Sequence, residues 1–123
     1  MSNIERRGGT RRTAPAEWFD GHVEMEAILE DSAHGVRQNR VHFHDGGRTH
    51  WHLHTGSQVL YFVAGQGMVQ EDGGQEQPCE AGDIVHVHPG AKHRHGAREG
   101  GSATHIAITL GESIWDNDAR YPH

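Results

Sequence analysis

Turn-forming residues interrupt the chain between Val36 and Leu110 so often that no segment between them exceeds nine residues. The breaks fall at Asp45-Gly46-Gly47, Thr55-Gly56-Ser57, Gly65-Gln66-Gly67, Asp72-Gly73-Gly74, Glu80-Ala81-Gly82-Asp83, Pro89-Gly90 and Glu99-Gly100-Gly101. They leave short pieces such as Arg48 to His54, Gln58 to Ala64, Ile84 to His88 and Ala103 to Leu110. Pieces of this length are too short for stable helices but match strands, and their even spacing predicts an all-β fold, an antiparallel sandwich or barrel. A chain of 123 residues with 17 glycines and 33% hydrophobic residues suits that reading and is sized for one domain. No long sequence period recurs, so the rhythm is one of turns and not of repeats.

The ends read differently. Residues 1–13 carry Arg6, Arg7, Arg11 and Arg12 among glycine and threonine, with too little apolar surface to offset the entropy of ordering, and are expected to form a flexible basic tail. Val23, Met25 and Ala27 alternate with His22, Glu24 and Glu26, which predicts a first strand over about His22 to Ala27. Trp18 and Phe19 precede it as an apolar anchor, and the pair suggests a strand that a twofold partner accepts by strand addition. The folded domain is expected over 14–115 and a fraying tail over 116–123. A net charge of −6 argues against a nucleic-acid surface. No apolar run approaches 18 residues and no leader pattern is present, so neither a membrane partner nor a secretory route is expected. Cys79 stands alone, which excludes an intramolecular disulfide and fits a cytoplasmic setting.

Ten of the 13 histidines fall between His42 and His105. On a strand, Arg48, His50, His52 and His54 share one face, and two imidazoles two residues apart can converge on one metal ion. The turn at Thr55-Gly56-Ser57 returns the chain so that Gln58 is presented beside them, with Leu60 and Phe62 on the same face to fill an interior. His93 follows the rigid Pro89-Gly90 turn, and His95 shares its face, so either can supply a further ligand or meet a substrate. His105 lies on a small-residue face with Ala107 and Thr109, where a neutral imidazole can serve as a general base near neutral pH. His86 and His88 are assigned to neither cavity nor surface, and His44 is a candidate for the rim.

Gly46, His52, His54, position 58 and Gly65 fall on the spacing of the first motif of the cupin superfamily, with Gln58 in place of its usual glutamate. Gly82, Gly90 and His93 fall on the second motif, while proline stands one place late, at Pro89, and Ala97 replaces the final asparagine. The chain resembles the small manganese-dependent hydroxynitrile lyases and the carboxymuconolactone-decarboxylase-associated cupins from about Ala14 to Leu110. The resemblance is carried by Pro15-Ala16-Glu17-Trp18-Phe19, by the run from Arg48 to His54 with Gln58, by Gly82-Asp83-Ile84-Val85, by Pro89 to Gly96, and by Thr104 to Ile108. It implies a double-stranded β-helix, a jelly-roll-like barrel, with a divalent metal on His52, His54, Gln58 and His93. Manganese is the first expectation, with iron, nickel or zinc as alternatives. It further implies a small-molecule substrate, lyase chemistry with His105 and His95 at the reaction site, and a homodimer or a tetramer. An iron-dependent dioxygenase and a non-catalytic ligand-binding cupin are the alternatives on the same fold.

Overall fold

The computed structural model describes residues 2, 4 and 9–123. Ten strands follow one another: β1 (Arg12–Thr13), β2 (Phe19–Asp31), β3 (Val36–Thr49), β4 (His52–His54), β5 (Gln58–Glu71), β6 (Gln77–Glu80), β7 (Ile84–Val87), β8 (His93–Ala97), β9 (Ala103–Leu110) and β10 (Ser113–Trp115). All pairings are antiparallel. Among the described residues there is no helix, and none is therefore long and apolar enough to cross a membrane.

Two of the expected turns are bends within long strands. Asp45-Gly46-Gly47 lies inside β3 and Gly65-Gln66-Gly67 inside β5, each of 14 residues. Asp45 and Gly46 both take positive φ, at 48° and 77°, and Gly65 has φ 81°. A glycine in that region bends and twists a strand without ending it. The bend at Gly46 carries β3 from pairing with β9 to a contact with β8 at Arg48↔Gly96. The bend at Gly65 carries β5 from β7 and β9 to β6 and β8. The two bent strands therefore close one sheet into a barrel.

The inward rows of β3, β9 and β5 lie in register across that barrel. Arg37, Thr109 and Gln58 form one row, Asn39, Ala107 and Leu60 the next, and Val41, His105 and Phe62 the third. Leu60 and Phe62 of these rows pack with Phe43, Val69, Val87 and Ala97 into the core, and Leu60, Phe62 and Ala97 are fully buried. At about 25 cal/mol per Å² of apolar surface, each large side chain there contributes ~2 kcal/mol to folding before entropy is set against it.

The ends are more ordered than their composition suggests. Residues 1, 3 and 5–8 of the expected tail lie outside the described residues, but Arg12 and Thr13 pair with Met25 and Glu24, and the Gly9 amide donates to the Ala27 carbonyl. This pairing occupies part of the outer edge of β2, the edge suggested for a partner. Trp18 turns inward and stacks on Trp115 at 5.3 Å between centroids, and Phe19 tilts against Phe43. The last residues do not fray: the Asp116 amide donates to the Trp51 carbonyl, Tyr121 is buried, and Lys92 donates to the Pro122 carbonyl. His123 packs edge-on against Tyr121.

Candidate metal centre and cavity

A cavity of about 820 Å³ opens at the end of the barrel where the three inward rows begin. His52, His54, Gln58, His95 and His105 line it, and His93 lies directly behind, its ring 4.3 Å from that of His52. Two-residue alternation does not run unbroken into the histidine pair. His50 and Trp51 separate β3 from β4, and the irregular step changes the parity. Thr49 consequently faces the cavity with His52, whereas Arg48 turns outward to Glu76 and His50 bonds to Asp20 at the surface. His86 and His88 are exposed, with His86 bonded to the Ser57 hydroxyl, because Val87 is the inward residue of β7. His42 and His44 pair with Glu26 and Glu24 on the outer face of β2 and β3.

Three imidazoles are anchored through Nδ1. His52 Nδ1–H donates to the His50 carbonyl at 2.8 Å, His93 Nδ1–H donates to the Ala91 carbonyl at 2.9 Å, and His54 Nδ1 shares a hydrogen bond with Ser113 Oγ at 2.8 Å. A neutral imidazole has one N–H, so the two rings anchored on carbonyls, His52 and His93, are left with a bare Nε2 lone pair. His54 Nε2 is buried and has no hydrogen-bond partner. Gln58 Nε2 donates to Thr109 Oγ1 at 2.9 Å, which aims Oε1 at His93 Nε2, 2.9 Å away. Two lone pairs face each other there, an arrangement that a cation between or beside them relieves. Fixing Nδ1 to a carbonyl or hydroxyl is how metal-binding histidines are oriented.

Burial sets the protonation states. It is the main cause holding His52, His93 and His95 below the ordinary histidine value, and it carries His54 down to about 3 and His105 down to about 4. The neighbouring imidazoles add repulsion at His52 and His95. All five are thus neutral at pH 7, the state in which imidazole is a ligand. No carboxylate joins Gln58 and the three anchored rings, so a divalent ion held there would keep its full charge. Among the described residues, nitrogens of His52, His93 and His95 lie within 4.8 Å of one another, a group that does not include His54. His95 differs from the other rings in its anchor: its Nδ1 meets His105 Nε2 at 2.8 Å, leaving His95 Nε2 and His105 Nδ1 buried and unpartnered. The residues thus fit a metal ion.

Three cavity residues escape a sequence reading. Trp115 of β10 lies opposite His52 and stacks on its ring at 4.2 Å. Ser113 anchors His54, and Arg37 donates through one terminal nitrogen to Ser113 Oγ at 2.8 Å and to the Gly111 carbonyl at 3.3 Å. The period-two spacing of Ser113 and Trp115 was the available signal for the first two.

A barrel closed by two bent strands, with clustered neutral histidines and one amide at its mouth, defines a small β-barrel with a histidine cluster able to hold a metal ion. The sequence profile of the cupin domain matches residues 39–109, and the chain belongs to the cupin family. It is 41% identical over 96 residues to an (R)-mandelonitrile lyase of Granulicella tundricola, an alignment covering 76% of this chain and 72% of that protein. Among solved structures, a cupin-like protein of Thermotoga maritima superposes with a TM-score of 0.81 at 29% identity, over 92% of this chain and 88% of that one. A putative acetylacetone dioxygenase of Methylibium petroleiphilum shares the fold, with a TM-score of 0.78 at 14% identity over 100% of this chain and 89% of that one.

Proposed function

We propose that the chain is a metal-dependent lyase that cleaves or forms the carbon–carbon bond of a cyanohydrin or a related hydroxy compound. The observation that carries this reading is the set of three anchored imidazoles and one amide beside the His95–His105 pair. The 41% identity to a mandelonitrile lyase supports the reaction class. His52, His54, Gln58 and His93 would hold the ion, with manganese first and iron, nickel or zinc as alternatives. A divalent ion on neutral donors supplies Lewis acidity to a substrate oxygen.

The protein's own part is proton handling and enclosure. His105, neutral and free of carboxylate partners, accepts the hydroxyl proton as the carbonyl forms. The C–CN bonding pair leaves with the carbon as cyanide. As His105 Nδ1 takes that proton, its Nε2 proton moves across the 2.8 Å contact to His95 Nδ1 and the proton on His95 Nε2 neutralises the cyanide, so the products are a carbonyl compound and hydrogen cyanide. Trp18, Phe19 and Trp115 form an apolar wall that excludes water from one side of the cavity.

Metal analysis of protein purified without added metal, followed by cyanide release from mandelonitrile, tests the reading. His52→Ala is expected to lose bound metal and at least 100-fold in kcat/KM; metal-free His52→Ala retaining substantial turnover would falsify the mechanism. Oxygen uptake by the Fe(II)-loaded protein with a diketone would instead favour dioxygenase chemistry, and ligand binding without turnover in either assay a binding protein.

We further propose a homodimer. Its support is the outer face of β5, β7 and β9, where Tyr61 lies opposite Ile84 and where Ile84, at 69% exposure, is accompanied by Val63, Ile108 and Leu110. A contiguous apolar sheet face of this kind favours a second copy. Light scattering is expected to give twice the chain mass for the wild type and the chain mass for Ile84→Lys.

A further inference from the structure

Arg37 has a position that the lyase reading does not use. It sits in the same cross-barrel row as Gln58, separated from it only by Thr109, and it lines the cavity. Its two hydrogen bonds are both made by one terminal nitrogen, to Gly111 and Ser113. A guanidinium has five N–H donors, so Nε and the other terminal nitrogen keep three of theirs. Among the described residues, Arg11, Arg40, Arg48, Arg94 and Arg120 each lie within ion-pair distance of a carboxylate; Arg12, Arg37 and Arg98 do not, and of these three Arg37 alone is half-buried and lines the cavity.

The acidic groups of the cavity do not offset it. Glu112 and Asp118 are both engaged by Arg120, and Glu17 is exposed at the rim. The inner cavity thus presents a half-buried cation beside a site built for a divalent ion on neutral ligands. A half-buried positive cluster without an internal anion favours an anionic occupant.

We propose that the substrate carries a carboxylate, and that Arg37 binds it while the adjacent hydroxyl or carbonyl oxygen occupies the metal site. The class is a 2-oxo carboxylate and its cyanohydrin, which keeps the nitrile that leaves as cyanide, with a flat apolar group set against Trp18 and Trp115, whose stacked rings line the same cavity. This rests on the reading of the metal site above and narrows its substrate. With Nη2 held by Gly111 and Ser113, the free Nη1 donates a charge-assisted hydrogen bond to the carboxylate, stronger than the one a neutral amide oxygen receives.

Mandelate and mandelamide have the same ring and hydroxyl and differ in charge, so tryptophan-fluorescence titration of the manganese-loaded full chain with each compound isolates the effect. Mandelate is expected to bind about 10- to 100-fold tighter. Arg37→Gln should bring the two affinities within about threefold, Arg37→Lys should retain part of the difference, and Arg98→Gln, at an exposed position outside the cavity, should leave it intact. Bound metal, measured on each variant, should stay near one per chain. Equal affinities in the wild type overturn the proposal, as does a preference for mandelate that survives in Arg37→Gln, which assigns the carboxylate to the metal alone. Absence of cyanide release from mandelonitrile overturns the lyase reaction and leaves this preference standing, so the two failures are distinguishable.

Discussion

His105 is fully buried between Phe43 and Phe62, touches one polar group, His95, and keeps one nitrogen without a partner. A structural histidine in that position would have both nitrogens satisfied, since an unpaired buried polar atom costs about 1–3 kcal/mol. The strain is consistent with a group reserved for proton transfer. His105→Ala is expected to lower kcat by about 100- to 10,000-fold while bound metal is retained, and His105→Gln, which fills the volume but cannot accept the proton, should be equally slow. Loss of metal in both variants would instead make His105 part of the metal site. Of the six candidate residues read from the sequence, His52, His54, Gln58, His95 and His105 line one cavity and His93 lies behind it, because spacing on a strand decides which side chains share a face. Arg37 was not legible. Its meaning depends on register with β9 and β5, and a single sequence carries no record of which strands become neighbours.

At the scale of the element, β3 and β5 decide where the site is. The same glycines that suggest hairpin turns instead bend two 14-residue strands, since positive φ serves a bulge as well as a turn and local sequence does not separate the two. The irregular step at His50 and Trp51 was likewise invisible, and so Arg48 and His50 lie outside the cavity while Thr49 lies within it. The bend at Gly65 is the more demanding of the two. An added Cβ would overlap the Ser102 carbonyl oxygen and lie 2.9 Å from Ala103 Cα, both backbone atoms that have no rotamer to yield. Strain at positive φ and the overlap each cost about 1–3 kcal/mol. Gly65→Ala is therefore expected to destabilise the fold by ~3 kcal/mol, a fall in Tm of about 10 °C by calorimetry. Gly73→Ala, also at positive φ but with open space around it, should cost about 1–2 kcal/mol. Equal effects at the two positions would show that conformation alone, and not the close approach of β5 to β9, limits the barrel.

For the whole molecule, the buried histidines make acid the condition that opposes the fold. His105 stands at about 4 in the folded chain, below the ordinary value near 6.5, because burial penalises its charged form. Above about pH 6.5 it is neutral in both folded and unfolded chains, and its effect on stability does not change with pH. Between about 6.5 and 4 the unfolded chain takes up a proton that the folded chain does not, so stability falls as pH falls, by up to ~1.4 kcal/mol per pH unit for each such histidine. Below about 4 both states are protonated and this contribution levels off. The carboxylates of Glu24 and Glu26 act in a lower window: hydrogen bonds from His44 and His42 hold them below the usual carboxylate value, so their contribution is present above about 4.5 and is lost beneath it. Denaturant titrations of the metal-free protein at pH 7.5, 6.5, 5.5 and 5.0 should therefore show little change over the first interval and a steep loss over the last two. His105→Gln, which removes one titrating group, should reduce that slope by about one proton. A wild-type profile flat from pH 6.5 to 5.0 would mean that the cavity admits protons without unfolding, and the interior of this barrel would then be open to water in a way that its packing of Phe43, Phe62 and Leu60 does not suggest.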